Sequence, residues 1–182
     1  MIYTIGHSTR SLNEFQDLLT EFGITQLVDV RRFPASKRHP QFAKQALESE
    51  LAAIAVTYIH EPALGGRRSA APHSPNTAWR NPQFRGYADY MGTTEFQDAL
   101  ERLVQLGSRG PTAIMCAEAV PWRCHRQLIA DALVARGIEV QHVLGTGAPR
   151  PHVLHGAAKV DERHRVTYPG VAPSARERDR AG

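Results

Sequence analysis

Apolar and polar residues alternate along this chain in two repeating patterns. Short apolar runs, typical of buried strands, occur at 2–5, 26–30, 56–59, 112–115 and 139–144. Between these runs, apolar residues recur every three or four positions, which predicts helices over 12–22, 40–54, 84–91, 94–106 and 125–135. A chain that alternates strands with helices forms a mainly parallel sheet with helices on both faces. The predicted fold class is therefore α/β: a three-layer sandwich, Rossmann-like, around a central sheet of about five strands.

The ends of the first helix and of the domain can also be predicted. Ser11 is expected to cap the first helix, because Glu14 follows it at the spacing of a capping box. Gly23 is expected to end that helix. Past residue 145 the periodic pattern fades into scattered proline, glycine and charged residues. We therefore expect one α/β domain over 1–156 and an irregular C-terminal extension or tail over 157–182.

Chemically distinctive residues follow four of the five predicted strands. They are His7-Ser8 after the first, Asp29 and 31–36 after the second, His60 and 65–67 after the third, and 116–126 after the fourth. The carboxyl ends of parallel strands share one edge of a sheet, and ligands of such folds bind along that edge. The loops at the opposite edge are bland, so the sequence predicts a functional site at the carboxyl edge.

The stretch after the fourth strand is the most unusual of these segments. Within 116–126 lie two Cys, one Glu, one His and two Arg, and Pro121 interrupts any regular structure. A buried strand that ends in a polar loop and leads into a helix suits anion binding, because the first N–H groups of a helix have no partner inside it. This stretch is the predicted centre of the site.

Composition narrows the class of protein and its surroundings. Hydrophobic residues make up 42% of the chain, which indicates a globular protein. No apolar run approaches the ~20 residues that span a bilayer, and the N-terminus lacks the pattern of a signal peptide. We therefore expect a cytoplasmic protein with no membrane partner. The two Cys are then expected to be reduced thiols, with no disulfide between Cys116 and Cys124.

The formal net charge of +4 favours an anionic partner, such as a nucleotide, a phosphate ester or nucleic acid. Part of this charge has another interpretation, because basic residues of the last twenty positions are equally typical of a solvated tail. They are Arg163, His164, Arg165, Arg176, Arg178 and Arg180.

Four motifs together resemble those of a known family. They are Thr4-Ile-Gly-His-Ser8, Asp29-Val-Arg31 with Pro34 and Ser36, Leu64-Gly-Gly66 with Arg67, and Met115-Cys-x-Glu-x-x-Pro-x-x-Cys-His-Arg126. With them, the chain over about 2–152 resembles the domain-of-unknown-function family numbered 488. The resemblance implies an α/β fold and a site built from these motifs, and it brings no established reaction.

A fainter resemblance links the chain to rhodanese-like domains. The order of 27–31 and 114–126 is similar to theirs, where a strand ending in a catalytic Cys leads into an anion-binding loop and a helix. Glu118 and Pro121 occupy the loop here, so the similarity is one of topology alone.

The candidate residues divide by the chemistry that their side chains allow. The catalytic candidates, which could move protons or act as nucleophiles, are Glu118, Cys116, His125, His7 and His60. The substrate-binding candidates are Ser8, Asp29, Arg31, Arg32, Ser36, Gly65, Gly66, Arg67, Cys124 and Arg126. No zinc-binding spacing is present, so no metal is predicted, and the cofactor stays unknown.

Structural alternatives stay open for the main candidates. Cys116 and Cys124 could simply pack in the core, and each His could be a hydrogen-bonded structural residue. Glu118 could pair with an Arg, and Arg126 could pair with Asp29 or Glu118 instead of binding an anion. A metal site built from His7, His60, Cys116, Cys124 and His125 is a further alternative.

Three functions are consistent with these candidates. The first is an enzyme acting on an anionic substrate that contains phosphate or a nucleotide. The second is a non-catalytic nucleic-acid or nucleotide binding module that uses the same edge with Arg32, Lys37 and Arg38. The third is sulfur-transfer or thiol chemistry at Cys116. The oligomeric state cannot be predicted.

Overall fold

The structure, a computed structural model, describes residues 1–35 and 38–170. A six-stranded sheet forms its centre. Its strands are β1 (Ile2–Gly6), β2 (Gln26–Asp29), β3 (Thr57–His60), β4 (Thr112–Cys116), β5 (Val140–Val143) and β6 (Arg150–Pro151). The helices are α1 (Leu12–Glu21), α2 (Lys44–Ala52), α3 (Pro82–Tyr90), α4 (Thr94–Arg109) and α5 (Arg126–Ala135). Short 3₁₀ turns cover Pro40–Phe42, Pro62–Leu64 and Pro121–Arg123.

The strand order is β3-β2-β4-β1-β5-β6. β1 to β5 pair in parallel and β6 is antiparallel to β5, so the prediction of a mainly parallel sheet is confirmed. β4 lies between β2 and β1, whereas the Rossmann dinucleotide-binding order is 3-2-1-4-5-6. The chain is therefore an α/β protein with its own strand order.

Helices cover both faces of the sheet, which makes the fold a three-layer α/β sandwich. One face packs against α1 and α2, with Phe15 and Leu47 fully buried. The other face packs against α3, α4 and α5, with Phe96 and Leu128 fully buried. Each layer buries the apolar positions that define the helical spacing in the sequence.

Local sequence signals set several element ends. The predicted capping box of α1 is confirmed, since Glu14 N–H donates to the Ser11 hydroxyl and Ser11 N–H donates to the Glu14 carboxylate. Gly23 follows α1 with φ +60°, a conformation that glycine adopts without strain.

The helix predicted over 40–54 is divided into a 3₁₀ turn and α2. Ala43 separates them in an extended conformation, and Ile54 is left exposed beyond the end of α2. The break leaves the carbonyl of Phe42 free to accept a hydrogen bond of 2.8 Å from Arg31. Because this partner is remote in the sequence, helical periodicity alone could not indicate the break.

The segment after residue 156, expected to be irregular, contains an antiparallel pair, β7 (Lys159–Val160) and β8 (Val166–Thr167). Tyr168 follows β8, is fully buried, and donates a hydrogen bond of 2.7 Å to Asp131 of α5. Strands of two residues are too short to give a periodic signal, which is why the sequence did not predict them. Ser36, Lys37 and the expected tail residues Arg176, Arg178 and Arg180 lie outside the described residues.

Among the described residues, no helix combines the length and the apolar character that crossing a membrane requires.

Candidate active site at the carboxyl edge of the sheet

A cleft of about 740 Å³ opens at the carboxyl ends of the parallel strands. Ten of the predicted site residues line it: His7, Ser8, Arg31, Arg32, Gly66, Arg67, Cys116, Glu118, Cys124 and His125. It is also lined by residues that the motifs did not include, among them Thr9, Phe33, Arg38, His39, Gln83, Phe84, Tyr87 and Arg123. Asp29, His60, Gly65 and Arg126 are not among its lining residues.

Strand register brings these motifs together. Gly6 of β1 is paired with Cys116 of β4, and Asp29 of β2 is paired with His60 of β3. Past the strand ends the contact continues, since the N–H of His7 donates to the carbonyl of Cys116 at 3.0 Å. The strands therefore end side by side, and the residues that follow them share one cleft.

Gly6 allows the loop after β4 to approach β1. A Cβ atom at this position would lie 1.8 Å from the carbonyl oxygen of Glu118. Only a residue without a side chain fits there, so the position of Glu118 depends on a glycine in another motif.

Asp29 and Arg31 form a buried ion pair beneath the cleft. Arg31 donates to both carboxylate oxygens, from Nε at 2.8 Å and from Nη2 at 2.6 Å. The Tyr58 hydroxyl donates to the same carboxylate at 2.7 Å. Burial opposes the charge of Arg31, but Asp29 outweighs it, and the pKa of the guanidinium is raised. Asp29 therefore holds Arg31 in place and already balances its charge.

His7 is a neutral imidazole packed against the ring of Phe42, with 4.3 Å between ring centroids. Burial lowers its pKa to about 4. Its Nδ1 lies 3.0 Å from the carbonyl oxygen of Ser8, which can only accept, so Nδ1 carries the proton. Nε2 then accepts from Arg31 Nη1 at 3.3 Å. Both nitrogens are engaged, which favours a positioning role for His7.

His60 is held in a similar way, because its Nε2 lies 2.9 Å from the carbonyl oxygen of Arg31.

The two glycines of the third motif are required by packing. A Cβ at Gly65 would lie 2.8 Å from Cβ of Arg32, and one at Gly66 would lie 2.9 Å from Nδ1 of His125. These glycines bring two loops into contact.

Two thiols meet at the floor of the cleft. Cys116 and Cys124 are free cysteines, both buried, and their Sγ atoms lie 2.8 Å apart. The N–H of Glu118 donates to Cys116 Sγ at 3.3 Å, and the N–H of Arg126 donates to Cys124 Sγ at 3.5 Å. His125 Nδ1 lies 3.5 Å from Cys124 Sγ. The two sulfurs therefore accept hydrogen bonds from several donors.

Arg126 is fully buried under the thiols. Its Nε donates to Cys116 Sγ at 3.0 Å, and its Nη2 donates to the carbonyl oxygen of Glu118 at 2.6 Å. The sequence predicts that Arg126 either binds an anion or pairs with a carboxylate. In the part of the chain that the structure describes it pairs with no carboxylate, because its buried guanidinium donates to sulfur, carbonyl and hydroxyl groups, and its binding of an anion stays a prediction.

A buried guanidinium requires a nearby negative charge, because burying an unpaired ion costs several kcal/mol, on the order of the effective penalty per ion in proteins. The groups in contact with Arg126 that can ionise are the two thiols. Burial acts to raise the pKa of Cys124, but the hydrogen bond from Cys116 and the charge of Arg126 outweigh it and lower this pKa to about 7. Burial and the neighbouring Cys124 raise the pKa of Cys116 well above its ordinary value. Above about pH 7 the pair therefore shares one proton and carries one negative charge.

This shared charge predicts a pH dependence of stability. Cys124 ionises near pH 7 when folded and near pH ~8.5 when unfolded, so between these values the unfolded chain binds more protons. The free energy of unfolding should therefore rise over this range by about 2 kcal/mol relative to Cys124→Ser. Above pH ~8.5 the free energy of unfolding of the wild type should fall, because Cys116 ionises only in the unfolded chain, and the difference from Cys124→Ser should level off, because that variant keeps Cys116. Urea unfolding of both proteins across pH 6–10 measures the difference, and a flat difference from pH 7 to pH 8.5 would contradict it.

Glu118 lines the cleft, and its backbone N–H and carbonyl groups contact Cys116 and Arg126 at the site floor. Among the described residues the carboxylate has no hydrogen-bond or ion-pair partner, although arginines line the same cleft. It is the one carboxylate among the described lining residues. The side chain is exposed and available to a bound molecule.

Four exposed arginines surround the mouth of the cleft: Arg32, Arg38, Arg67 and Arg123. Within 1–35 and 38–170, none of them forms an ion pair. Arg32 Nη1 donates to the carbonyl oxygen of Arg67 at 3.1 Å, which joins two of the loops. Arg67 has φ +61°, a strained conformation for a residue with a side chain. The mouth of the cleft therefore carries a net positive charge.

No group of three or more His, Cys, Asp or Glu that could hold a metal ion occurs among the residues that the structure describes. His7 and His60 are each bound to protein groups. The metal site considered from the sequence is therefore not assembled.

A second buried network, which the sequence does not predict, extends away from the cleft. Thr4 Oγ1 lies 2.8 Å from His142 Nδ1, and His142 Nε2 lies 3.0 Å from His152 Nδ1. His152 Nε2 in turn lies 2.8 Å from Asp131. Arg126 Nη1 also donates to Thr4 Oγ1, at 3.5 Å, so the network reaches the thiol pair. The irregular spacing of its members gave no signal in the sequence.

The fold and the cleft define an α/β protein whose candidate site lies at the carboxyl ends of its parallel strands. The chain belongs to the family described as Domain of unknown function DUF488, whose model matches residues 11–133. The matched range holds three of the four motifs and leaves out 4–8, although that motif lines the same cleft. Neither the curated proteins nor the solved structures gave a match.

Proposed function

We propose that this protein is a cytoplasmic enzyme that acts on an anionic substrate containing phosphate or a nucleotide. One observation carries the proposal: four exposed arginines without ion pairs among the described residues surround a cleft that holds a single carboxylate. Unpaired guanidinium groups around a concave site attract anions and bind phosphate with two parallel hydrogen bonds.

The proposed roles follow from exposure and existing partners. Arg67 and Arg123 bind the anion, since both are exposed and unpaired among the described residues. Arg31 supports them from below without contributing a free charge, because Asp29 balances it. Glu118 is the proposed general acid or base, since it lines the cleft and its exposed carboxylate has no hydrogen-bond or ion-pair partner among the described residues. Phe84, which lines the same cleft, offers a ring face to a base.

Binding of inorganic phosphate and of nucleoside triphosphates should therefore depend on the arginines at the cleft. We expect Arg67→Ala and Arg123→Ala each to weaken binding about tenfold, the loss of one charge-assisted hydrogen-bond pair. Calorimetric titration measures the dissociation constants. The matched control is Arg109→Ala, which removes the same charge from an exposed position at the end of α4, just before β4 begins.

The carboxylate provides a second arm of this experiment. Removing its charge by Glu118→Gln should tighten anion binding and abolish turnover of any substrate found, since the amide neither repels an anion nor transfers a proton. Wild-type protein that binds none of these ligands at millimolar concentration would contradict the proposal.

A second candidate function, a non-catalytic nucleic-acid binding module, is favoured by two exposed aromatic side chains beside arginines. Phe33 is 62% exposed and Trp122 is 53% exposed, and the Arg32 guanidinium lies 5.6 Å from the Phe33 ring centroid. Exposed rings that alternate with cations are typical of surfaces that bind single strands. A steep log-linear loss of affinity for an oligonucleotide with added salt, without turnover, would favour this function over the enzyme.

A further inference from the structure

The thiol pair lies at the floor of the cleft with a cation behind it and open space in front. Cys116 and Cys124 both line the cleft, and their Sγ atoms are 2.8 Å apart, against about 2.05 Å in a disulfide bond. A movement of less than an ångström would join them. The two sulfurs are thus within reach of each other in the reduced protein.

Arg126 makes one sulfur of this pair a nucleophile. Its buried guanidinium contacts Cys116 Sγ at 3.0 Å and has no carboxylate partner in the described ranges 1–35 and 38–170. The backbone N–H groups of Glu118 and Arg126 add two further donors to the sulfurs. Thiolates react with electrophiles where thiols do not. The positive charge and the N–H donors around the two sulfurs therefore favour a reactive thiolate over a thiol that only packs in the core.

We propose that Cys116 and Cys124 form a redox site that a small hydroperoxide oxidises to an intramolecular disulfide. The site accepts hydrogen peroxide or a small organic hydroperoxide, since the sulfurs are reached only from the cleft and are otherwise buried. This activity is separate from the proposed turnover of an anionic substrate, and its test reads the sulfur atoms alone.

The chemistry balances with the peroxide as the oxidant. The thiolate sulfur attacks one peroxide oxygen, the O–O bond breaks, and a sulfenic acid forms with release of hydroxide or alkoxide, which takes the proton of the second thiol. The second sulfur, now a thiolate, attacks the sulfenic sulfur and displaces hydroxide, which takes a proton from solvent. Two sulfurs lose two electrons in total, and the peroxide is reduced to water, or to water and an alcohol.

The same cation makes the reaction reversible. Arg126 stabilises the reduced form because its charge helps to lower the pKa of Cys124 and so favours the thiolate, and it gains nothing from a neutral disulfide. Stabilising the reduced form makes a disulfide easier to reduce. A small dithiol should therefore restore both sulfurs.

The test uses the full-length chain, reduced and then exposed to equimolar hydrogen peroxide at pH 7. We expect both thiols to disappear together, the intact mass to fall by that of two hydrogen atoms, and dithiothreitol to reverse the change. Loss should be about tenfold faster than in the same chain unfolded in urea, where few thiols are ionised at this pH. Equal or slower loss in the folded chain, or a mass gain from added oxygen, would overturn the proposal.

Two further measurements separate this site from ordinary cysteine oxidation. The rate for the folded chain should reach half its maximum near pH 7, against about pH 8.5 for the unfolded chain. Cys116→Ser and Cys124→Ser should each form no intramolecular disulfide while keeping the fold by circular dichroism. A folded wild-type profile that coincides with the unfolded one would also refute the proposal.

Discussion

Gly6→Ala is expected to destabilise the protein by more than about 3 kcal/mol, beyond the usual cost of overpacking a core. The new methyl group would lie 1.8 Å from the carbonyl oxygen of Glu118, and both atoms belong to backbone segments that cannot rotate away. The loop after β4 must therefore shift, and the acceptor of Arg126 shifts with it. Urea unfolding measures the stability, and peroxide-induced loss of thiols reports on the site.

The matched control is Gly145→Ala, which adds the same methyl group in a loop where nothing lies within 4 Å. We expect this variant to unfold within about 0.5 kcal/mol of the wild type, as surface substitutions usually do. Equal stability of the two variants would mean that the contact between β1 and the Glu118 loop is dispensable.

Arg126→Met is expected to lower the free energy of unfolding by about 3 kcal/mol, because breaking a buried charged contact leaves its partners unsatisfied. The carbonyl oxygen of Glu118, which accepts from Nη2 at 2.6 Å, would lose its donor in a buried position. The thiol pair would lose its cation, so the pKa of Cys124 should rise from about 7 to above the ordinary value for a thiol.

Thiol reactivity distinguishes this effect from simple loss of stability. The pH profile of alkylation by a small neutral reagent should move upwards by more than a unit in Arg126→Met, measured where the variant is still folded. The matched control is Arg136→Met, which removes a guanidinium from the end of α5. The ion pair of this guanidinium with Glu101 lies at the surface. An unchanged profile in Arg126→Met would mean that the sulfurs do not balance the charge of Arg126.

Much of the fold was readable from the sequence because its signals are local. The apolar runs of β1 and β4 and the Ser11–Glu14 capping box depend on neighbours within a few positions. The carboxyl edge was also predicted, since parallel strands place their following residues together. The order in which β4 lies between β2 and β1 was not readable, because it depends on long-range pairing.

The sequence predicted which residues line the cleft better than it predicted their arrangement. Motif residues such as Glu118 and Cys124 do line the cleft, but the direction of each side chain depends on tertiary partners. Arg126 is the clearest case: at the start of a helix it suggested an anion site, and it instead points inwards to sulfur. Gln83 reaches the cleft only because a long loop returns α3 to this edge, and no local pattern encodes that return.

The central position of β4 also determines when the sheet can assemble as the chain is synthesised. β1 pairs only with β4 and β5 in the described structure, and both partners begin more than 100 residues later, at Thr112 and Val140. A ribosome that has released only the first ~100 residues therefore presents β1 with no neighbour, while β2 and β3 can already pair. Apolar residues of β1 stay exposed until β4 emerges, so premature termination before Thr112 should yield an aggregation-prone fragment that chaperones must hold.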